Sequence, residues 1–153
     1  MSGYNILSLN SMLSTVVNTQ LVTNATYVGI DFGTSTTVVS IASKINGENL
    51  IKTLPIKLTQ ILEDGTIYQS EKLPSVIAWY NGKLLVGEGA SNLKYTLTKG
   101  KNIWFSFKME IGEDLGAKYY NSEVSSLESV NIRNPKDCVR VFFMYLKILS
   151  KIS

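Results

Sequence analysis

From Tyr27 to Phe107 the hydrophobic residues fall in short blocks separated by turn residues, and the last twenty positions keep the most sustained helical period. Tyr27–Ile30 predicts a strand, followed by a tight turn through Gly33 and a second strand over Val38–Ala42. Asn46-Gly47 is a hairpin signal, so Asn49–Leu54 predicts a third strand antiparallel to the second, completing a meander. Residues 55–72 are expected as a variable excursion with a turn at Asp64-Gly65. Leu73–Tyr80 and Lys83–Gly87 flank Asn81-Gly82 and predict a second hairpin. Glu88–Leu97 suits a short helix, Lys101–Ile111 carries Trp104, Phe105 and Phe107, and 112–133 are expected as loop.

The final segment is the most helical. Asn134 can cap a helix and Pro135 suits its first position. Cys138, Phe142, Tyr145, Leu146, Leu149 and Ile152 line one face, while Val141, Met144 and Ile148 add a second. Only a narrow polar stripe through Arg140, Lys147 and Lys151 remains, which predicts burial on most sides. Such a helix at the end of the chain implies a domain that continues past it, or a second chain that covers it. Residues 1–24 are uncharged, with Ile6, Leu9, Leu13 and Val16 at helix-like spacing, and are expected as an accessory extension.

Composition changes this picture mainly by exclusion. A chain of 153 residues predicts one core, and 44% hydrophobic with 18% charged residues is ordinary for a globular protein. A scattered net charge of +3 gives no electrostatic footprint for nucleic acid. Lys99, Lys101 and Lys108 flank the aromatic stretch and read first as a solvated loop beside a core strand. The absence of histidine removes His-based triads and the usual zinc and haem ligation. The single cysteine, Cys138, forms no internal disulfide, fits a reducing cytoplasm and is expected as a buried thiol. No apolar run approaches the length of a membrane span, and no lysine or arginine precedes Lys44 to start a secretory signal.

The chemistry concentrates in residues 27–37, Tyr-Val-Gly-Ile-Asp-Phe-Gly-Thr-Ser-Thr-Thr. The strand delivers one carboxylate, Asp31, into a turn holding Gly33 and the hydroxyls of Thr34, Ser35, Thr36 and Thr37. A glycine admits close backbone approach, and exposed N–H groups in a turn form an anion-binding concavity. A carboxylate beside an anion site repels the anion unless a cation lies between them. Asp31 therefore implies Mg²⁺, which is commonly shared between a carboxylate and substrate phosphates. The same residues also suit an ordinary hairpin whose hydroxyls cap their own backbone. The turn joins two strands and lacks the lysine of a P-loop, so it is neither that motif nor a dinucleotide fingerprint.

Four segments in order carry a resemblance. Val28-Gly-Ile-Asp-Phe-Gly-Thr-Ser-Thr36 resembles the first phosphate motif of the actin-like ATPase superfamily. Pro74-Ser-Val-Ile-Ala78 with Leu85-Val-Gly-Glu-Gly-Ala90, then Phe107-Lys-Met-Glu-Ile-Gly112, are similar to later landmarks of the DnaK-type heat-shock chaperones. Asn134–Lys151 looks like the helix that follows. The resemblance implies that Asp31 holds hydrated Mg²⁺ and that Gly33, Thr34, Ser35 and Thr36 contact the β- and γ-phosphates of ATP. It implies a catalytic role for Lys108, which would orient the attacking water and stabilise charge on the γ-phosphoryl, with Thr34 beside it. Met109-Glu110 depart from the family, which has a basic and an apolar residue there.

The second phosphate motif, Asp-x-Gly-Gly-Gly-Thr, is absent, as are the glycine-rich adenosine motif and the peptide-binding domain. The resemblance thus covers only the first lobe of a two-lobed ATPase, over roughly 26–151 apart from the excursion at 55–72. It implies an α/β fold: a ribonuclease-H-like mixed sheet begun by the antiparallel meander, with an inserted subdomain over 55–120 and the whole lobe spanning 25–153. The expected role is the N-terminal fragment of an ATP-dependent chaperone, cytoplasmic, with ATP or ADP as ligand. Unfolded polypeptides and co-chaperones would be partners through domains this sequence lacks, and neither nucleic acid nor membrane is expected. The alternatives are a non-catalytic stand-alone interaction module, with the apolar C-terminal helix as its partner surface, and a fragment of a sugar kinase or actin-like filament protein.

Overall fold

The computed structural model describes residues 26–44, 51–113, 122–124 and 130–149. The expected helix in 1–24 and the Asn46-Gly47 turn lie outside these residues. The protein is mixed α/β, dominated by small antiparallel sheets. Strands β1 (Thr26–Phe32), β2 (Thr36–Lys44) and β3 (Ile51–Pro55) are hydrogen-bonded in that order, the path of the expected meander. The chain divides into two units. The smaller contains, of the described residues, 26–29, 40–44 and 51–54, with Val28 and Leu54 exposed. The larger contains Ile30–Val39 and all described residues from Pro55 onward, and it carries both hydrophobic cores.

Within the larger unit, the expected excursion after Pro55 is an ordered hairpin, β4 (Leu58–Ile61) and β5 (Ile67–Ser70). Its turn is the predicted one: Gly65 has φ +88°, and the Asp64 carboxylate accepts from the Thr66 amide and hydroxyl. Those bonds hold the Asp64 carboxyl below its usual range. The sequence hides the hairpin because its inward positions are Leu58 and Gln60, so the strand does not read as apolar. Gln60 is fully buried and bonded at both ends of its amide: its Nε2 donates to the Lys72 carbonyl and its Oε1 accepts from the Glu88 amide.

The run Leu73–Tyr80, expected as one strand, is split at Ser75. Strand β6 (Lys72–Pro74) pairs with β2, and β7 (Val76–Tyr80) pairs with β8 (Lys83–Val86) and β9 (Ile103–Phe105). Asn81 (φ 51°) and Gly82 (φ 72°) close the β7–β8 hairpin as the sequence predicts. Central in its sheet, β7 is covered on both faces, which explains its unbroken apolar run. Period-two alternation then sorts two cores. Ile77 lies in register with Val86 and Trp104, all facing the larger cluster, whereas Val76, Ala78, Leu85 and Ile103 face the smaller.

The expected helix over Glu88–Leu97 is shorter, α1 (Glu88–Ser91), and continues as turns. Gly87 (φ 91°) and Gly89 let α1 lie directly on β4: a Cβ at Gly89 would strike the Ile61 carbonyl and Leu62 backbone. Helix α2 (Pro135–Leu149) begins as predicted, with Asn134 Oδ1 accepting from the Asp137 amide at 3.0 Å. It buries Cys138, Val141, Phe142 and Leu146 in the larger core but leaves Phe143 and Met144 exposed. The expected burial on most sides is therefore confined to one side among the described positions.

Two outcomes follow for stability. Gln60→Leu strips partners from the Glu88 amide and the Lys72 carbonyl, both in part-buried bonds, and urea denaturation should show a loss of about 2 kcal/mol. The Tyr145 hydroxyl donates to the Thr59 carbonyl, and burial raises its pKa above 10.0. Its neutral form is favoured by folding, so this contribution is complete below the unfolded pKa and fades as pH rises from about 10 through the raised folded value. Tyr145→Phe should flatten that alkaline fall in the denaturation midpoint.

Candidate phosphate-binding turn

The turn between β1 and β2 is built around Gly33. Its amide donates to the Thr36 carbonyl at 3.1 Å, and a Cβ at this position would run into that carbonyl oxygen. Glycine is required here by closure of the hairpin itself, a demand more specific than the ligand approach expected from sequence. Ser75 holds the other side. Its amide donates to the Ser35 carbonyl and its hydroxyl to the Gly33 carbonyl, both at 2.9 Å. With that proton committed, the 3.0 Å contact between Thr37 Oγ1 and Ser75 Oγ has Thr37 as donor. Ser75 and Thr37 are both buried.

This geometry separates the hydroxyls that sequence groups together. Thr37 alternates inward with Val39 and is fully buried, so it braces the turn and faces no ligand. Thr34 and Thr36 are half-buried and Ser35 is exposed, and their hydroxyls make no hydrogen bond among the described residues. The amides of Thr34 and Ser35 likewise donate to no described backbone carbonyl. Gly33, by contrast, has spent both its amide and its carbonyl. The donors left for an anion are the amides of Thr34 and Ser35 and the three hydroxyls of 34–36.

Alternation also sorts the residues before the turn. Phe32 packs against the larger core, meeting Phe107, Phe142 and Phe143 at centroid distances of 6.3, 5.6 and 5.2 Å. Asp31 is therefore on the opposite face and exposed. Among the described residues no three carboxylates or cysteines cluster to cage a metal. Asp31 could serve Mg²⁺ only as a single protein ligand, an arrangement that ion accepts because it keeps several waters.

The three lysines near the aromatic stretch have different partners. Lys99 pairs with the buried carboxylate of Glu110 at 2.8 Å and lies 4.6 Å from the Phe105 ring centre. Lys101 pairs loosely with Glu123 at 3.5 Å. Lys108 turns to the hairpin: its Nζ donates to the Phe32 carbonyl and sits 5.4 Å from the Phe32 ring centre. Ser106, at φ 59°, reverses the chain just before, so Phe107 is buried while Lys108 stays exposed. The structure thus brings Asp31, the 33–36 turn and Lys108 to one end of β1. It adds Phe32 and Ser75, which sequence reasoning did not single out for the site, and moves Thr37 from the ligand-facing hydroxyls to a buried brace. The available signal for Ser75 was a polar residue inside an apolar run.

A groove of about 360 Å³ lies between the 110–113 turn and the start of α2, lined by Glu110, Glu113, Asn134 and Lys136 among others, and shares no residue with the hairpin turn. No helix among the described residues is long and apolar enough to cross a membrane. A scan against protein-family models finds no match for this chain, and a search of curated proteins finds none either.

Gly33→Ala should destabilise the protein by about 2–4 kcal/mol in chemical denaturation, because the new methyl displaces the Thr36 carbonyl. Ser35→Ala, at an exposed position, should stay within about 0.5 kcal/mol of the parent.

Proposed function

We propose that this chain is the N-terminal part of a DnaK-type ATPase domain and supplies one jaw of a Mg-ATP clamp. The observation that supports it is a convergence: residues 31–36, Ser75 and Lys108, from three separate segments of the resemblance, meet around one turn. An ordinary hairpin needs neither a buried serine on two of its carbonyls nor a lysine drawn to its base. The order β1-β2-β3 followed by a long helix fits the start of a ribonuclease-H-like half.

In this proposal Asp31 holds hydrated Mg²⁺. The amides of Thr34 and Ser35 and the hydroxyls of Thr34, Ser35 and Thr36 would take the β- and γ-phosphates, while Gly33 shapes the turn. Lys108 leaves the Phe32 carbonyl to meet charge on the γ-phosphoryl, and Thr34 lies beside it. Phosphoryl transfer asks mainly for such positioning and electrostatics. Unfolded polypeptides and co-chaperones would engage other parts of such a chaperone. A second reading, a non-catalytic interaction module, draws on the exposed pair Phe143 and Met144 on α2.

Calorimetric titration of the 153-residue chain should show weak ATP binding that requires Mg²⁺, with hydrolysis close to the uncatalysed rate. Asp31→Asn should weaken Mg-ATP binding roughly tenfold, and Lys108→Ala only by about threefold or less. Turnover at a full chaperone rate, or binding indifferent to Mg²⁺ and to Asp31→Asn, would sink the proposal. A stable dimer by light scattering, reduced to monomer by Met144→Lys, would favour the interaction module.

A further inference from the structure

The turn's usefulness as an anion site depends on which way its peptide planes face, and one residue controls that. In a trans peptide the carbonyl and the following N–H point in opposite directions. Ser75 draws the Gly33 carbonyl toward itself through Oγ and the Ser35 carbonyl through its amide, both at 2.9 Å. The first bond turns the Thr34 amide away from Ser75, and the second does the same for the Thr36 amide. Both carbonyl dipoles, which would repel a phosphate, are thereby held inward.

We infer that Ser75 is the positioning residue of this site: it fixes the Gly33–Thr34 peptide plane so that the Thr34 amide faces the ligand. The inference rests on the phosphate reading of the turn only for its consequence in binding; the orientation belongs to the ligand-free chain. Three features make Ser75 more than a local brace. It reaches the turn across 42 residues of sequence, from the junction where β6 leaves one sheet and β7 enters another. It is 2% exposed, so water does not compete for its bonds. Its hydroxyl oxygen accepts a hydrogen bond from buried Thr37 while its own proton is donated to the Gly33 carbonyl.

Thr37 supplies the control. Thr37→Val removes one buried hydrogen bond of the same network but leaves the Ser75–Gly33 bond, whereas Ser75→Ala removes both. A merely structural role predicts that each variant loses affinity in step with its loss of stability. A positioning role predicts that they part. In residual dipolar couplings of the full chain without ligand, the Thr34 N–H vector should reorient in Ser75→Ala and stay as in the parent in Thr37→Val. In titrations with Mg-ADP, Ser75→Ala should bind about tenfold more weakly while Thr37→Val stays within about twofold. Ser75→Thr, which keeps the hydroxyl, should restore both the vector and the affinity.

An unchanged Thr34 vector in Ser75→Ala, or equal reorientation in the two variants, overturns the inference. If the Ser75 variants fail to fold, reorientation of Thr34 in Thr37→Val alone, whose Ser75–Gly33 bond persists, overturns it, and an unmoved vector there supports it. Absence of Mg-ADP binding in the parent defeats the phosphate reading instead, and the dipolar couplings still decide the role of Ser75.

Discussion

One buried hydroxyl joins the two demands this fold has to meet. Ser75 sits where a single run of chain passes from pairing with β2 to pairing with β8 and β9. Burying a serine without partners costs on the order of a few kcal/mol, so a polar residue at such a junction is tolerated only when fully bonded. Here the amide, the hydroxyl proton and a hydroxyl lone pair are all engaged, each by the β1–β2 turn or the strand that leaves it. The hydrophobic run on either side of Ser75 builds both cores, since Leu73 and Ile77 face the larger and Val76 and Ala78 the smaller. The position of the turn is thus set by core packing through a short polar link.

The same logic recurs along the chain: buried groups aim exposed ones. Phe32, held among Phe107, Phe142 and Phe143, determines that its neighbour Asp31 faces outward at the mouth of the turn. Phe107 anchors the residue before Lys108 in that cluster, and the Phe32 ring and carbonyl then attract the ammonium. Aromatic contacts of this kind contribute roughly 1 kcal/mol each beyond the area they bury. Their larger consequence here is geometric. Two charges of opposite sign are brought to one end of β1 from positions 77 residues apart in sequence.

What was legible in the sequence follows from where the signal is local. The β1–β2 turn, the Asp64-Gly65 and Asn81-Gly82 turns, and the Asn134-Pro135 start of α2 depend on residues within a few positions, and each forms where predicted. The β4–β5 hairpin was missed because its second inward position is Gln60, whose burial depends on Lys72 and Glu88 far along the chain. The break at Ser75 was missed for a similar reason. Nothing near Leu73–Tyr80 says that the run serves two sheets, because that choice is made by β2, β8 and β9. At the site, Asp31, Gly33, Thr34, Ser35, Thr36 and Lys108 could be read from residue type and order. Phe32 and Ser75 could not, nor could the inward role of Thr37, since these depend on contacts invisible in one dimension. At Gly33 the sequence suggests a ligand's close approach, whereas the missing side chain makes room for the Thr36 carbonyl.

The composition of the site also constrains how it would fill. One exposed carboxylate, a pair of amides with no partner among the described residues and three hydroxyls carry little charge between them, and Lys108 lies on the Phe32 carbonyl at the same end of β1. On the proposed reading a bare Mg²⁺ would have Asp31 as a single protein ligand and would keep most of its water. A bare polyphosphate finds weak donors and a carboxylate that repels it. Metal and phosphate arriving together would remove both objections, because a cation held by Asp31 would screen its charge from the phosphate. On the proposed reading the turn therefore selects a preformed Mg-nucleotide over either component. The Lys108 bond to the Phe32 carbonyl then holds the ammonium beside the turn until a more negative oxygen arrives to compete for it.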